Sequence, residues 1–172
     1  MREIFNTTQD LKLLAQLLQV KRELNAPPVA YDNLVVIKPW GYEFQLHSNQ
    51  DCSTWLACLK PGQAVSMHCH QFKSVFFIPL SAGLCFKTLT VSQKFDDYIK
   101  IDRCVFHSQE NDSDHDAFFL ECEWPANKSD LIRYKDKYGR ENKGYEGAAS
   151  MLPYDLAVDQ LKIPLMYQMM RG

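Results

Sequence analysis

A chain of 172 residues that is 46% hydrophobic and 12% aromatic is long enough to bury a substantial core as a single domain. Its 19 basic and 21 acidic residues leave a net charge of −2, which argues against a broad basic footprint for nucleic acid. No apolar run approaches the roughly 20 residues of a membrane span, and the first residues lack the pattern of a signal peptide. The expectation is a cytoplasmic protein with neither membrane nor nucleic acid as a partner.

The first segment, residues 1–30, reads as helical. Thr7 or Thr8 stands where an N-cap is wanted, and Leu11, Leu13, Leu14, Leu17, Leu18, Val20 and Leu24 mark a broad apolar face. Lys12, Gln16, Gln19 and Glu23 supply the polar side, and Asn25-Ala26-Pro27-Pro28 ends the helix. Such a helix packs on the outside of its own domain or on a partner subunit.

From residue 34 to 124 the texture changes to short apolar or alternating runs at 34–38, 42–47, 54–60, 64–70, 75–80, 84–91, 98–106 and 117–124. Turn-forming stretches separate them, including Pro39-Trp40-Gly41, Pro61-Gly62, Ser81-Ala82-Gly83 and an acidic stretch from Glu110 to Asp116. Strands at this spacing predict an all-β sandwich or barrel over residues 31–147, with no βαβ alternation. Residues 148–172 form a C-terminal extension, weakly helical and Met-rich at its end. Cys52, Cys58, Cys69, Cys85, Cys104 and Cys122 form no CxxC pair, and several sit in strand-like runs, so they read as reduced thiols.

The chemistry-bearing residues centre on His68-Cys69-His70. Side chains two apart on a strand share a face, so both imidazoles can project into an interior, and imidazole is the commonest metal-binding side chain. His107 follows a later strand-like run. His47 and His115 lie in polar turns and read as surface residues. Asp112, Asp114 and Asp116 alternate with polar residues but lack the Gly and Glu of a calcium loop, so they read as a solvated acidic loop. Glu110, Glu121 and Glu123 are carboxylates available as ligands or bases. Alternation puts Glu121 and Glu123 on one face and Cys122 on the other, so an inward Cys122 would send both glutamates outside. Trp40, Trp55 and Trp124 suit either core packing or stacking on a sugar ring. Lys60, Arg103, Arg133 and Arg140 are candidates for phosphate contact, or for surface ion pairs.

Gly62, His68 and His70 resemble the first motif of the cupin superfamily, with Gly83 as its closing glycine. The glutamate that normally follows the second histidine is replaced, the chain reading Lys73-Ser74-Val75. The stretch from Ile101 to Asn111 is similar to the second motif and contributes His107, but Asp102 and Cys104 stand where that motif has proline and glycine. Lys38-Pro39-Trp40-Gly41-Tyr42-Glu43 and the segment from Asp130 to Arg140 resemble the opening and closing signatures of the type II mannose-6-phosphate isomerase branch. His68-Cys69-His70 followed by a lysine is similar to short cupins of bacterial surface-polysaccharide gene clusters.

The resemblance implies an RmlC-like jelly roll, a double-stranded β-helix barrel with an N-terminal helix. It implies a divalent metal (zinc, iron, manganese or nickel) on His68, His70 and His107. It further implies an isomerase-like or epimerase-like protein for a sugar phosphate or nucleotide sugar, working as a homodimer. A non-catalytic sugar-binding module and a His-ligated iron dioxygenase are the alternatives. Lys73 is expected to point outward, its parity on an unbroken strand differing from that of His68 and His70.

Overall fold

The structure is a computed structural model that describes residues 2–20, 30–141, 143–144 and 151–171. Among these, two β-sheets face each other. The larger has eight strands in the order β1 (Arg2–Ile4), β9 (Ile99–Ile101), β6 (Ser74–Pro79), β11 (Ala117–Trp124), β4 (Ser53–Leu59), β3 (Gly41–Ser48), β2 (Leu34–Lys38) and β13 (Met151–Pro153). The smaller has five, in the order β12 (Ile132–Lys135), β5 (Met67–Cys69), β10 (His107–Asn111), β7 (Leu84–Thr88) and β8 (Ser92–Lys94). Every pairing is antiparallel except β1 on β9. Three helices complete the elements: α1 (Thr8–Leu17), α2 (Tyr154–Leu161) and α3 (Leu165–Met169). None is long and apolar enough to cross a membrane.

The large sheet is buried on both faces. Its inner face sends Ala57, Leu59, Val75, Phe77 and Phe119 against Leu84, Phe86 and Phe95. Its outer face carries Tyr42, Phe44, Leu56, Cys58 and Phe118, covered by Tyr154, Ala157, Ile163 and Tyr167 of the C-terminal extension. The ring of Phe118 stacks on that of Tyr167 with centroids 4.2 Å apart. Each fully buried side chain of this size contributes about 1.5–3 kcal/mol by leaving water, so the extension is a structural half of the second core. Both chain ends also enter the large sheet, β1 at one edge and β13 at the other.

Most of the expected strands form near their predicted bounds, with instructive departures. The 98–106 run splits: β9 ends at Ile101, and the chain turns before β10 begins at His107. Cys104 occupies that turn at φ 66, a left-handed conformation that glycine adopts more easily. Cys104 thus holds a glycine-favouring conformation at the position where the resembled motif has glycine. Residues 107–111, which lie after the expected run and reach into the stretch expected as a turn from Glu110, form β10 and place His107 opposite His68. The 64–70 run shortens to β5, because the chain bends after Cys69. At Gly41 a Cβ would stand 2.0 Å from the Cys58 carbonyl oxygen, so the β2–β3 turn closes only over glycine.

Helix α1 begins as expected. Thr7 caps it, and the Asp10 carboxylate in turn accepts from the Thr7 amide at 2.8 Å. The other Asp10 oxygen accepts from the Phe106 amide at 3.0 Å, tying the helix to the turn that leads into β10. The helix ends at Leu17, earlier than expected; Glu23, Leu24 and Asn25 to Pro28 lie outside the described residues. All six cysteines are free thiols.

Candidate metal centre

The three histidines meet between the sheets. His68 lies on β5, His70 just after it and His107 at the start of β10, and the registered pair His68–His107 brings the two strands together. All three are buried, and their ligand atoms lie within 4.8 Å of one another. Among the described residues no other such group of metal-ligating side chains occurs.

Each ring is fixed by the main chain. Nδ1 of His68 donates to the Ser66 carbonyl at 2.7 Å, and Nδ1 of His107 donates to the Val105 carbonyl at 2.9 Å. Nδ1 of His70 donates to the Asp130 carbonyl. A carbonyl only accepts, so each Nδ1 carries the proton and each Nε2 offers its lone pair. Nε2 of His70 and of His107 is buried and has no hydrogen-bond partner. Leaving a buried acceptor unsatisfied costs about 1–3 kcal/mol, so two such nitrogens beside a third imidazole fit a ligand that takes lone pairs.

The protonation state agrees with this. Burial holds the His68 imidazolium well below its ordinary pKa, and neighbouring His107 adds to the effect. Burial does the same for His70, with the Lys73 charge as the next cause. Burial lowers His107 to about 4. Neutral imidazoles with free Nε2 atoms are the form that binds a divalent ion. The donor set thus fits a metal, and three neutral nitrogens leave coordination positions open.

The position of the lost motif glutamate is explained by the sheet. Val75 belongs to the core and Ser74 donates a hydrogen bond to Asp102, so neither supplies a carboxylate to the site. Glu123 stands directly across from Val75 on β11. It is engaged elsewhere: its oxygens accept from the Lys73 ammonium and from the Ser53 hydroxyl at 2.7 Å. Burial works against its charge, yet Lys73, then Lys128, hold its carboxyl below the usual value.

One expectation is corrected here, and one open alternative is decided. Lys73 does not point outward. The bend after Cys69 resets the strand parity, and Lys73 is 1% exposed with its ammonium on Glu123. Glu121 and Glu123 do not face outside either. Phe119, Glu121 and Glu123 share the inward parity, while Phe118 packs outward under the C-terminal extension.

Beside His68 and His70 lies a pocket with a cavity volume of about 50 Å³ that opens to solvent. Its walls include Glu43, Phe77 and Glu121 from the large sheet, Trp40 from the β2–β3 turn and Gln109 from the small sheet. Of the basic candidates, Arg133 and Arg140 line it, together with the unforeseen Lys38, Lys73 and Lys128. Arg133 donates to the carbonyls of Lys143 and Gly144, and Arg140 makes a two-point contact with Asp136 at 2.8 and 2.7 Å. Lys60 lies apart, half-exposed and paired with Asp116 at 2.7 Å, and Arg103 is exposed on the β9–β10 turn. Trp40 and Trp55 are buried, whereas Trp124 is exposed. His47 and His115 are at the surface. Glu110 pairs with Lys87 and Lys137 away from the pocket.

Sequence reading also missed Asp130. Its side chain accepts from the amides of Gln71, Phe72 and Lys73 at 2.8, 2.7 and 2.9 Å, while its carbonyl takes the His70 proton. One residue therefore holds both a histidine and the bend that turns Lys73 inward.

Comparison with known proteins agrees on the architecture. No protein-family model matches the chain, and no curated protein matches it. Among solved structures, the capsular polysaccharide assembling protein CapF from Staphylococcus aureus superposes with a TM-score of 0.52 at 16% identity, over 59% of this chain and 34% of that one. This chain thus matches about a third of CapF's length. An uncharacterized conserved protein with a double-stranded β-helix domain from Klebsiella pneumoniae matches at TM-score 0.49 and 13% identity, over 64% of this chain and 91% of that one. An RmlC-like cupin from Shewanella frigidimarina matches at 0.49 and 12%, over 63% and 97%. The chain has a double-stranded β-helix fold.

Proposed function

We propose that this cupin-fold chain is a metal-dependent sugar-modifying protein, an isomerase or epimerase of a sugar phosphate or nucleotide sugar. The observation that carries the reading is the histidine triad: three neutral imidazoles, each with Nδ1 anchored to a carbonyl, two of them (His68 and His70) lining a pocket that also holds a carboxylate. His68, His70 and His107 would hold the metal, which as a Lewis acid polarises a carbonyl or hydroxyl oxygen. The chain's own residues supply the rest. Gln109 and the lysines and arginines of the wall offer donors to hydroxyl and phosphate oxygens. The likeness to CapF supports a carbohydrate setting only as part of this proposal.

A second reading rests on Lys73. A buried ammonium beside the triad disfavours a second positive charge there, which favours a metal-free sugar-binding module.

Elemental analysis separates the two. The purified chain, incubated with zinc, iron, manganese or nickel and then desalted, is compared with His68→Ala/His70→Ala. About one metal per chain in the native protein and none in the variant is expected. No metal above the variant's level, with sugar phosphates or nucleotide sugars still bound by His68→Ala, would establish the module instead.

A further inference from the structure

We propose that Glu121 is the acid–base residue of the pocket, the carboxylate that takes a proton from a carbon next to a carbonyl of the bound sugar derivative and returns it. This rests on the enzymatic reading above and names the base that reading needs.

Geometry singles out Glu121 among the acids. It lies on β11 directly across from Phe77 of β6, and the Phe77 ring stands 5.5 Å from that of His107. Residues paired across strands share a face, so its carboxylate is on the histidine side, and it lines the same pocket as His68 and His70. Among the described residues its ion-pair partner is the Lys128 ammonium at 3.6 Å, beyond hydrogen-bond reach. Its lone pairs are left to a ligand. The other acids face more partners among the described residues: Glu123 bonds Lys73 and Ser53, Glu110 pairs with Lys87 and Lys137, and Glu43 stands 3.6 Å from both Lys38 and Lys128, where Glu121 has Lys128 alone.

Lys128 is itself held in place. Its ammonium sits 4.1 Å from the centroid of the Trp55 ring and between the carboxylates of Glu43 and Glu121. Burial alone would push that ammonium down, but Glu121, Glu43 and Glu123 hold it above its ordinary value. It therefore stays a fixed cation that steadies Glu121 when ionised without bonding it.

The charges acting on Glu121 are Lys128 from the segment after β11, Glu123 from its own strand, Lys73 from the bend before β6 and Glu43 from β3. Across the pocket stand His68 and His70, with Arg133 of β12 and Arg140 beyond it. Burial pushes the Glu121 carboxyl up, the lysines oppose this and the two glutamates add to it; the net direction is upward. A base raised toward working pH transfers protons more effectively.

The step balances without a co-reactant. The C–H bond breaks and its proton goes to a Glu121 oxygen. The electron pair enters a carbon–carbon double bond, and the carbonyl π pair moves onto the carbonyl oxygen. Return of the proton to the same carbon gives exchange or epimerisation. Return to the former carbonyl carbon gives isomerisation, the enediol hydroxyl proton passing from the oxygen that becomes the new carbonyl to the former one.

The test follows proton exchange by NMR in deuterated water, with the full chain loaded with metal. The probes are fructose 6-phosphate, mannose 6-phosphate and a thymidine-diphospho-4-keto sugar. The native chain is expected to wash deuterium into one probe next to its carbonyl, with a rate that rises with pH along an acidic limb. Glu121→Gln is expected to lower that rate at least ~100-fold, the lower bound for general acid–base catalysis, and to abolish the limb. Metal content and probe binding should be unchanged, because Lys128 retains Glu43. Should Glu121→Gln not fold, Glu121→Asp keeps the charge with the carboxylate withdrawn by one methylene, and is expected to keep the limb at a lowered rate. Native exchange with Glu121→Gln or Glu121→Asp at the native rate overturns this inference and leaves the enzymatic reading standing. No exchange by the native chain with any probe overturns both.

Discussion

Removing the Asp130 side chain tests whether one carboxylate organises the site. In Asp130→Ala the amides of Gln71, Phe72 and Lys73 lose their acceptor. Hydrogen bonds to a charged group contribute about 1.5–3 kcal/mol each, so the simple sum is roughly 4.5–9 kcal/mol. That sum overstates the loss. Phe72 is exposed and Gln71 half-buried, so water replaces the carboxylate at those two amides at small cost. Lys73 is buried, and its amide bears the full penalty. The expected loss is therefore about 2–4 kcal/mol, read by urea denaturation. Asp130→Asn keeps one oxygen able to serve Phe72 and Lys73, and should lose about 1 kcal/mol. Metal affinity is the second readout. The carbonyl that holds His70 belongs to the same residue, and disturbing such a support weakens metal binding about 10–100-fold. A loss below ~0.5 kcal/mol in Asp130→Ala with unchanged metal affinity would refute the reasoning, since surface substitutions alone account for that much.

Two further outcomes are expected. Lys73→Met strands the buried charge of Glu123 and should cost about 3–5 kcal/mol, whereas Lys73→Met with Glu123→Leu should recover most of it; equal losses in the single and double variants would show that the pair is not the cause. At Cys104, held at φ 66, Cys104→Val should cost about 1–2 kcal/mol and Cys104→Gly should be neutral or stabilising, compared by thermal unfolding; a more stable valine variant would contradict the assigned backbone.

The sandwich was legible because β3, β4, β6 and β11 are long and bounded by turn residues, and the triad was legible because His68 and His70 keep strand parity. What escaped reading has definite causes. β11 is apolar on both faces, since the C-terminal extension covers Phe118 while the core takes Phe119. Alternation then cannot tell inside from outside, and the face of Glu121 and Glu123 stays tied to the undecided direction of Cys122. The short strands β1, β8, β10, β12 and β13 owe their existence to pairing rather than to their own residues; Ser108, Gln109 and Glu110 have little strand preference. The inward turn of Lys73 depends on Asp130, which is 57 positions away, and no local pattern carries that information.

The carbonyls of Ser66, Val105 and Asp130 that receive the imidazole protons belong to the peptide chain, and every amino acid brings one. The ring orientations are thus specified by the path of the backbone and not by which side chains stand at 66 or 105. Ser66→Ala or Val105→Ile would leave the same oxygen in the same place. A site aimed this way tolerates substitution around it, and it can remain aimed while the proline, glycine and glutamate that flank it in the cupin motif are replaced.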